Sequence, residues 1–376
     1  MSEPVDRRYG PATLPPPRGP VSAALVRALR QPPHDLPAGL DAPFDPAGPD
    51  PLTDEDLQLT LFLCYELHYR GWAGVADDWE WQPSLLALRA RAERVFETAV
   101  RRLVDPLPPV RPDGVPQALA ELVAADDGPP LAAAVQRRAT LEQFREFVTL
   151  RSIYHLREAD AHSWGLPRLG GPAKAALVEI QMDEYGNGQL DRMHAELFRR
   201  TMGCLDLDTD YAAHLDRAPA ITLASNNLIS LFGLHRRLRG ALLGHLAAFE
   251  MTSSLPNRRY GNGLRRLGLD ATATAFYDEH VEADAVHEQI AAYDLCGGLA
   301  RAEPALAPDL VFGAAAALAV EGLFAGHLLA AWERGESSLR DSARSTSALP
   351  VPVASEAAVV SGAAVVSGAA VVSAIA

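Results

Sequence analysis

The sequence predicts an all-α protein, and three observations carry that expectation. Apolar residues recur every three or four positions over long stretches, as in Leu141, Phe144, Phe147, Leu150 and Tyr154. Before the last thirty or so residues, β-branched and aromatic residues never alternate convincingly over four or more positions, as a half-buried strand requires. Proline and glycine are concentrated in a few breaks, and windows such as Ala271–Leu295 contain neither.

Residues 1–50 are rich in proline and glycine and predict an extended arm, with one short helix at Val21–Leu29. Thr53-Asp54-Glu55-Asp56 reads as an N-cap followed by acidic residues, which suit the positive end of a helix dipole. The helix it opens carries Leu57, Leu61, Cys64, Tyr65 and His68 on one face. A second helix is expected at Leu85–Val104. A proline-rich loop should follow, then short helices at Gln117–Ala125 and Pro130–Arg138. Beyond these the pattern predicts helices over Thr140–Asp160 and Ala173–Arg200, the latter interrupted at Gly186-Asn187-Gly188. Thr209–Leu215, Ala220–Leu231 and His235–Ser253 follow, then a polar turn at Asn257–Gly263. Thr272–Leu295 and Pro304–Glu333 complete the set. The apolar window Val311–Trp332 contains Glu321 and His327 and predicts a buried core helix, not a membrane span. Residues 341–376, with Ala-Ala-Val-Val-Ser recurring at a six-residue period, predict a disordered tail. One domain is therefore expected over 51–340, with its chemistry between about 140 and 295.

The formal net charge of -14 makes nucleic acid and anionic membranes poor partners, because phosphate contacts require clustered Lys and Arg. Cys64, Cys204 and Cys296 are far apart and form no CxxC. They read as free core thiols in a reducing cytoplasm, and the chain start lacks the apolar core of a signal peptide.

His280, Asp284 and His287 are spaced i, i+4 and i+7. At about 100° per residue they fall within an arc of roughly 60° on a helix, a combination that suits half of a first-row metal site. A solvated charged face is the plain alternative. The matching half is sought in Gln181–His194, where Asp183, Glu184 and Asp191 precede His194. On an ideal helix Asp183 and His194 share a face, whereas Glu184 joins His194 only if the helix is broken, as Gly186 and Gly188 permit. Glu158 and Glu250 sit among apolar neighbours, where a carboxylate is costly unless paired or metal-bound.

Three segments, Glu158–Trp164, Ala175–Gly186 and His194–Phe198, together with the His-x3-Asp-x2-His of Tyr277–His287, resemble the iron-containing redox enzymes. These have a haem-oxygenase-like fold and include di-iron oxidases and oxygenases. The resemblance covers roughly Thr140–Arg340. It implies Glu158, Glu184, His194, Glu250, His280, Asp284 and His287 as metal ligands, and so favours Glu184 over Asp183 or Asp191. It also implies two Fe(II) ions, no haem, and O2 as co-substrate acting through a peroxo-di-iron(III) species on a C–H or N–H bond. The implied partners are a small-molecule substrate, as in natural-product biosynthesis, and an external reductant, with a homodimer as the assembly. Glu250 corresponds to an extra carboxylate in N-oxygenating members. A non-catalytic iron-binding or storage protein is the competing expectation.

Overall fold

The computed structural model describes residues 6–40, 44, 48–104 and 106–341, with the backbone alone for 283–286. The tail expected from residue 341 lies outside them but for its first residue. Among the described residues the architecture is helical, and a single bridge between Ala12 and Trp72 is the one extended pairing.

The arm holds α1 (Pro20–Leu29), followed by α2 (Glu55–Glu66), α3 (Pro83–Val104), α4 (Val115–Ala124) and α5 (Leu131–Arg137). The central part comprises α6 (Leu141–His155), α7 (Asp160–Ser163), α8 (Gly171–Glu184), α9 (His194–Cys204) and α10 (Ala220–Leu234). Then come α11 (Arg239–Arg266), α12 (Ala271–Gln289), a π-helical stretch at Ile290–Cys296, α13 (Gly297–Ala302) and α14 (Ala307–Glu333).

Local chemistry explains many of these boundaries. The N-cap of α2 is Asp54, one residue beyond Thr53, and its carboxylate accepts from the Asp56 and Leu57 amides. Thr140 caps α6 in a reciprocal pair with Gln143. The arm is not loose where it is described. Val21, Leu25 and Leu29 are fully buried, and the α1 amides of Val21 and Ser22 donate to Asp56 on α2.

Three expectations need correction. The polar turn at Asn257–Gly263 does not exist, because α11 runs through Pro256 to Arg266. Proline removes one intrahelical bond, but α11 packs along α12 and α14, and that tertiary contact overrides local propensity. Glu250 consequently lies in mid-helix, not near an end. Thr209–Leu215 forms turns leading into a 3-10 helix at Leu215–Arg217. Cys204 is exposed at the end of α9, whereas Cys64 and Cys296 are buried as expected.

The position of the site depends on the crossing of α11 and α14. A Cβ on Gly244 would lie 1.8 Å from the Leu310 carbonyl oxygen, and one on Gly313 would lie 2.0 Å from that of Ala241. The two helices therefore touch backbone to backbone near their N-terminal ends and run in the same direction. Helix α14 is long and apolar enough to cross a membrane, yet Leu310, Val311, Ala316, Val320 and Leu328 are buried against the other helices.

Candidate metal centre

Glu158 is not on α6 but on the turn that follows it. His155, at the last position of α6, donates from Nδ1 to Glu158 Oε1 at 2.8 Å. The other carboxylate oxygen, Oε2, is buried without a hydrogen-bond partner. Burial alone would raise the Glu158 pKa, but the adjacent His155 and His280 rings hold it well below the usual carboxylate range. On α12, His280 Nδ1 donates to the Phe276 carbonyl at 2.8 Å, which fixes the tautomer that leaves Nε2 with its lone pair. That Nε2 lies 3.8 Å from Glu158 Oε1.

Glu184 is the last residue of α8. Between it and His194 the chain leaves the helix and makes two 3-10 turns, at Gly186–Gly188 and Leu190–Arg192. This break carries His194, the first residue of α9, back to Glu184, with Nδ1 3.1 Å from Oε2. The approach is not aligned as a hydrogen bond. Both ring nitrogens of His194 and Oε2 of Glu184 are buried without one. Burial disfavours charge on His194, but the Glu184 carboxylate more than offsets it and raises the imidazole pKa. Gly186 makes the return possible. Its φ is +59°, and a Cβ there would lie 2.5 Å from the backbone of Arg192 and Met193. Gly186→Ala is expected to cost about 2–3 kcal/mol in denaturant unfolding and to weaken metal binding in the same preparation.

Glu158, His194 and His280 each offer a ligand atom within 4.8 Å of the others. A second group lies beside them. His287 Nδ1 is 3.4 Å from Glu250 Oε2, and its Nε2 is 3.3 Å from Asp183 Oδ2. Adjacent residues of α8 thus serve the two groups, Glu184 facing His194 and Asp183 facing His287. Asp191 is exposed on its 3-10 turn and joins neither. The side chain of Asp284 lies outside the described residues; its backbone is on α12 between His280 and His287.

The donor set fits a cation. A bound metal ion would engage the buried, orphaned atoms of Glu158, Glu184, His194 and His287, each of which otherwise carries a desolvation penalty. Imidazole with carboxylate suits iron among the first-row metals.

Glu158, Glu184, Glu250 and His280 open onto a cavity of about 360 Å³. Its wall is largely apolar, with Phe147, Leu246, Phe249 and Leu318. Arg151 and Glu321 also line it, paired at 2.6 Å, and Glu321 accepts a further bond from Ser225. Tyr277 lines it with a buried hydroxyl that has no hydrogen-bond partner. His327 points elsewhere, to the Ser338 carbonyl. His155 is a site residue that the sequence reading left out, and Asp183, which helical spacing placed beside His194, faces His287 instead. The i, i+3 spacing of His155 and Glu158 was the available signal for the first.

His162 and His245 form a buried pair beside the cavity, 3.4 Å apart. Burial pushes both pKa values down to about 3, with His245 adding to the effect on His162. Unfolded, each titrates near 6.5, so below that pH the unfolded chain binds protons that the folded chain refuses. Stability is therefore expected to fall as pH drops from 6.5 toward 3, by up to about 1.4 kcal/mol per pH unit for each ring. Chemical denaturation at stepped pH should show that slope, and His245→Gln should reduce it by about half.

Residues 145–322 match the family of iron-containing redox enzymes. The matched stretch runs from α6 into α14 and includes every residue of both groups. The fold is the haem-oxygenase-like helical one, and the family read from the short motifs is the family matched. The chain is also similar to a nitrosourea synthase of Streptomyces achromogenes subsp. streptozoticus, at 29% identity over 146 residues, or 38% of this chain. The chain spans about a third of that relative's length, 31%.

Proposed function

We propose that this protein is an iron-dependent oxidoreductase that uses O2 to oxidise a small molecule, with two iron ions held between the turn after α6 and helices α8, α9, α11 and α12. The observation that carries this reading is the set of buried imidazole and carboxylate atoms without hydrogen bonds, gathered beside a largely apolar cavity. Glu158, Glu184, His194 and His280 would hold one ion. Glu250 and His287, with Asp284, would hold the other. Bound iron would supply O2 activation in ferrous form.

The chain's own groups set the conditions for that chemistry. His155 Nδ1–H occupies one oxygen of Glu158 and leaves the other for metal. The Phe276 carbonyl orients His280 in the same way. Phe147, Leu246, Phe249 and Leu318 give the cavity an apolar wall, while the Arg151–Glu321 pair offers a polar anchor for substrate.

Oxidation at nitrogen is the reaction we favour. Glu250 adds a carboxylate at the position noted for N-oxygenating members, and the named relative is a nitrosourea synthase. In such a step one atom of O2 enters an N–H bond and the other leaves as water. Two electrons and two protons come from an external reductant.

Anaerobic Fe(II) titration followed by rapid mixing with O2 tests the reading. About two irons per chain and a transient visible absorption that decays faster with an amine substrate are expected. Iron uptake without any O2-dependent transient would instead favour a non-catalytic iron-binding protein. No uptake would refute the metal site.

A further inference from the structure

The two carboxylates that begin the site, Glu158 and Glu184, stand on segments with little intrinsic rigidity. Glu158 lies in a turn, and Ala159 directly after it has φ +72°, the left-handed region that a residue with a Cβ rarely occupies. Glu184 is the last residue of α8, where the helix gives way to the 3-10 turns. A turn held in such a conformation must be fixed by its surroundings.

The surroundings are specific. The Ala159 carbonyl accepts from Gln181 Nε2 at 2.9 Å, and the same amide nitrogen donates to Ser163 Oγ at 2.7 Å. Tyr185 donates its hydroxyl to Asp160 Oδ1 at 2.9 Å and lies 3.0 Å from Ser163 Oγ. Gln181 and Tyr185 are one helical turn apart and bracket Glu184. Asp160 and Ser163 belong to α7, immediately beyond Glu158. On the far side, Arg157 pairs with buried Glu66 at 2.9 Å, and Tyr211 donates to the same carboxylate oxygen at 3.0 Å. The turn is thus pinned on both flanks, and on the α8 side the pin leads to the segment that carries Glu184.

We propose that Gln181, Tyr185 and Asp160 are positioning residues that set the separation of Glu158 and Glu184. They belong to neither group of donor atoms. Their role is to hold two carboxylates on two different segments at the spacing a shared metal ion requires, so that binding does not have to order the turn. The inference rests on the metal reading proposed above.

The test uses the full chain, with Co(II) as the probe in anaerobic buffer and the visible d–d bands as the readout. Tyr185→Phe removes the hydroxyl and keeps the ring. Asp160→Ala removes the acceptor, whereas Asp160→Asn keeps a carbonyl oxygen in its place. Tyr185→Phe and Asp160→Ala are expected to weaken Co(II) binding by about 10–100-fold and to shift the bands. Asp160→Asn should stay close to wild type, and the metal-free melting temperatures should move little. Should Tyr185→Phe fold poorly, the Asp160→Ala and Asp160→Asn pair gives the same contrast without touching the aromatic ring. Wild-type affinity and spectrum in Asp160→Ala would overturn the positioning role while leaving the metal site standing. Equal losses in Asp160→Asn and Asp160→Ala would overturn it too. No Co(II) or Fe(II) binding by the wild type would overturn the metal reading and this proposal with it.

Discussion

If the protein works as proposed, replacing His194 with alanine abolishes O2-dependent turnover and reduces iron to at most one per chain, while the metal-free protein remains folded. His194 is 1% exposed, and neither of its nitrogens finds a hydrogen bond in the folded chain. Burial desolvates the ring and the Glu184 carboxylate offsets that penalty, so the buried pair contributes little net stability. Its removal leaves a small cavity beside His280, whose ring centroid is 4.4 Å away. The stability cost should therefore be modest, about 1–2 kcal/mol. Metal affinity should fall by more than the 10–100-fold typical of losing a hydrogen-bonding partner of a ligand. Calorimetric metal titration beside metal-free thermal melting separates the two effects. A variant with full iron occupancy would refute the placement of His194 at the centre.

The largest stability effect should come from Gly313→Val. The β-carbon alone would overlap the Ala241 carbonyl, carbon and Cα, at 2.0, 2.6 and 2.6 Å. Backbone cannot rotate out of the way as a side chain can, so α11 and α14 would have to separate along their most intimate contact. A loss of at least about 4 kcal/mol is expected, enough to prevent soluble expression of a marginally stable fold. Gly326→Ala on the same helix is the control. Its Cβ would meet only Pro129 Cγ, at 3.7 Å, so helix propensity should dominate and stability should rise by up to about 1 kcal/mol. Paired urea melts of the two variants distinguish a position-specific clash from a general intolerance of α14.

The helices were legible in the sequence wherever their ends are written in side chains that bond locally. Thr140 with Gln143, and Asp54 ahead of Glu55, mark their helices in this way. The polar stretch Asn257–Gly263 was misread as a turn because the forces that keep α11 helical there are contacts with α12 and α14, which no local window contains. The site divides along the same line. His280 and His287 share a helix face, so their spacing could be read directly. Glu184 and His194 could be joined only by supposing a break, and the turns at Gly186–Gly188 and Leu190–Arg192 supply it. The place of Asp183 opposite His287 depends on how α8 meets α12, a relation set by packing and not by spacing. His155 had a readable spacing to Glu158 but an ordinary-looking context.

The position of α14 in the chain has a consequence for how the protein comes into being. Every candidate ligand, from Glu158 to His287, is synthesised before α14 begins at Ala307. Leu318, Glu321, Gly322 and Ala325, which close one side of the cavity, arrive afterwards. A nascent chain that has just passed His287 carries the candidate ligands but lacks this side of the cavity. It also exposes the trough on α11 that α14 will fill, while α14 itself emerges as apolar as a membrane segment. The apolar helix α14 thus joins after the candidate ligands, and a polypeptide stalled shortly before Ala307 would hold those residues without this wall of the cavity.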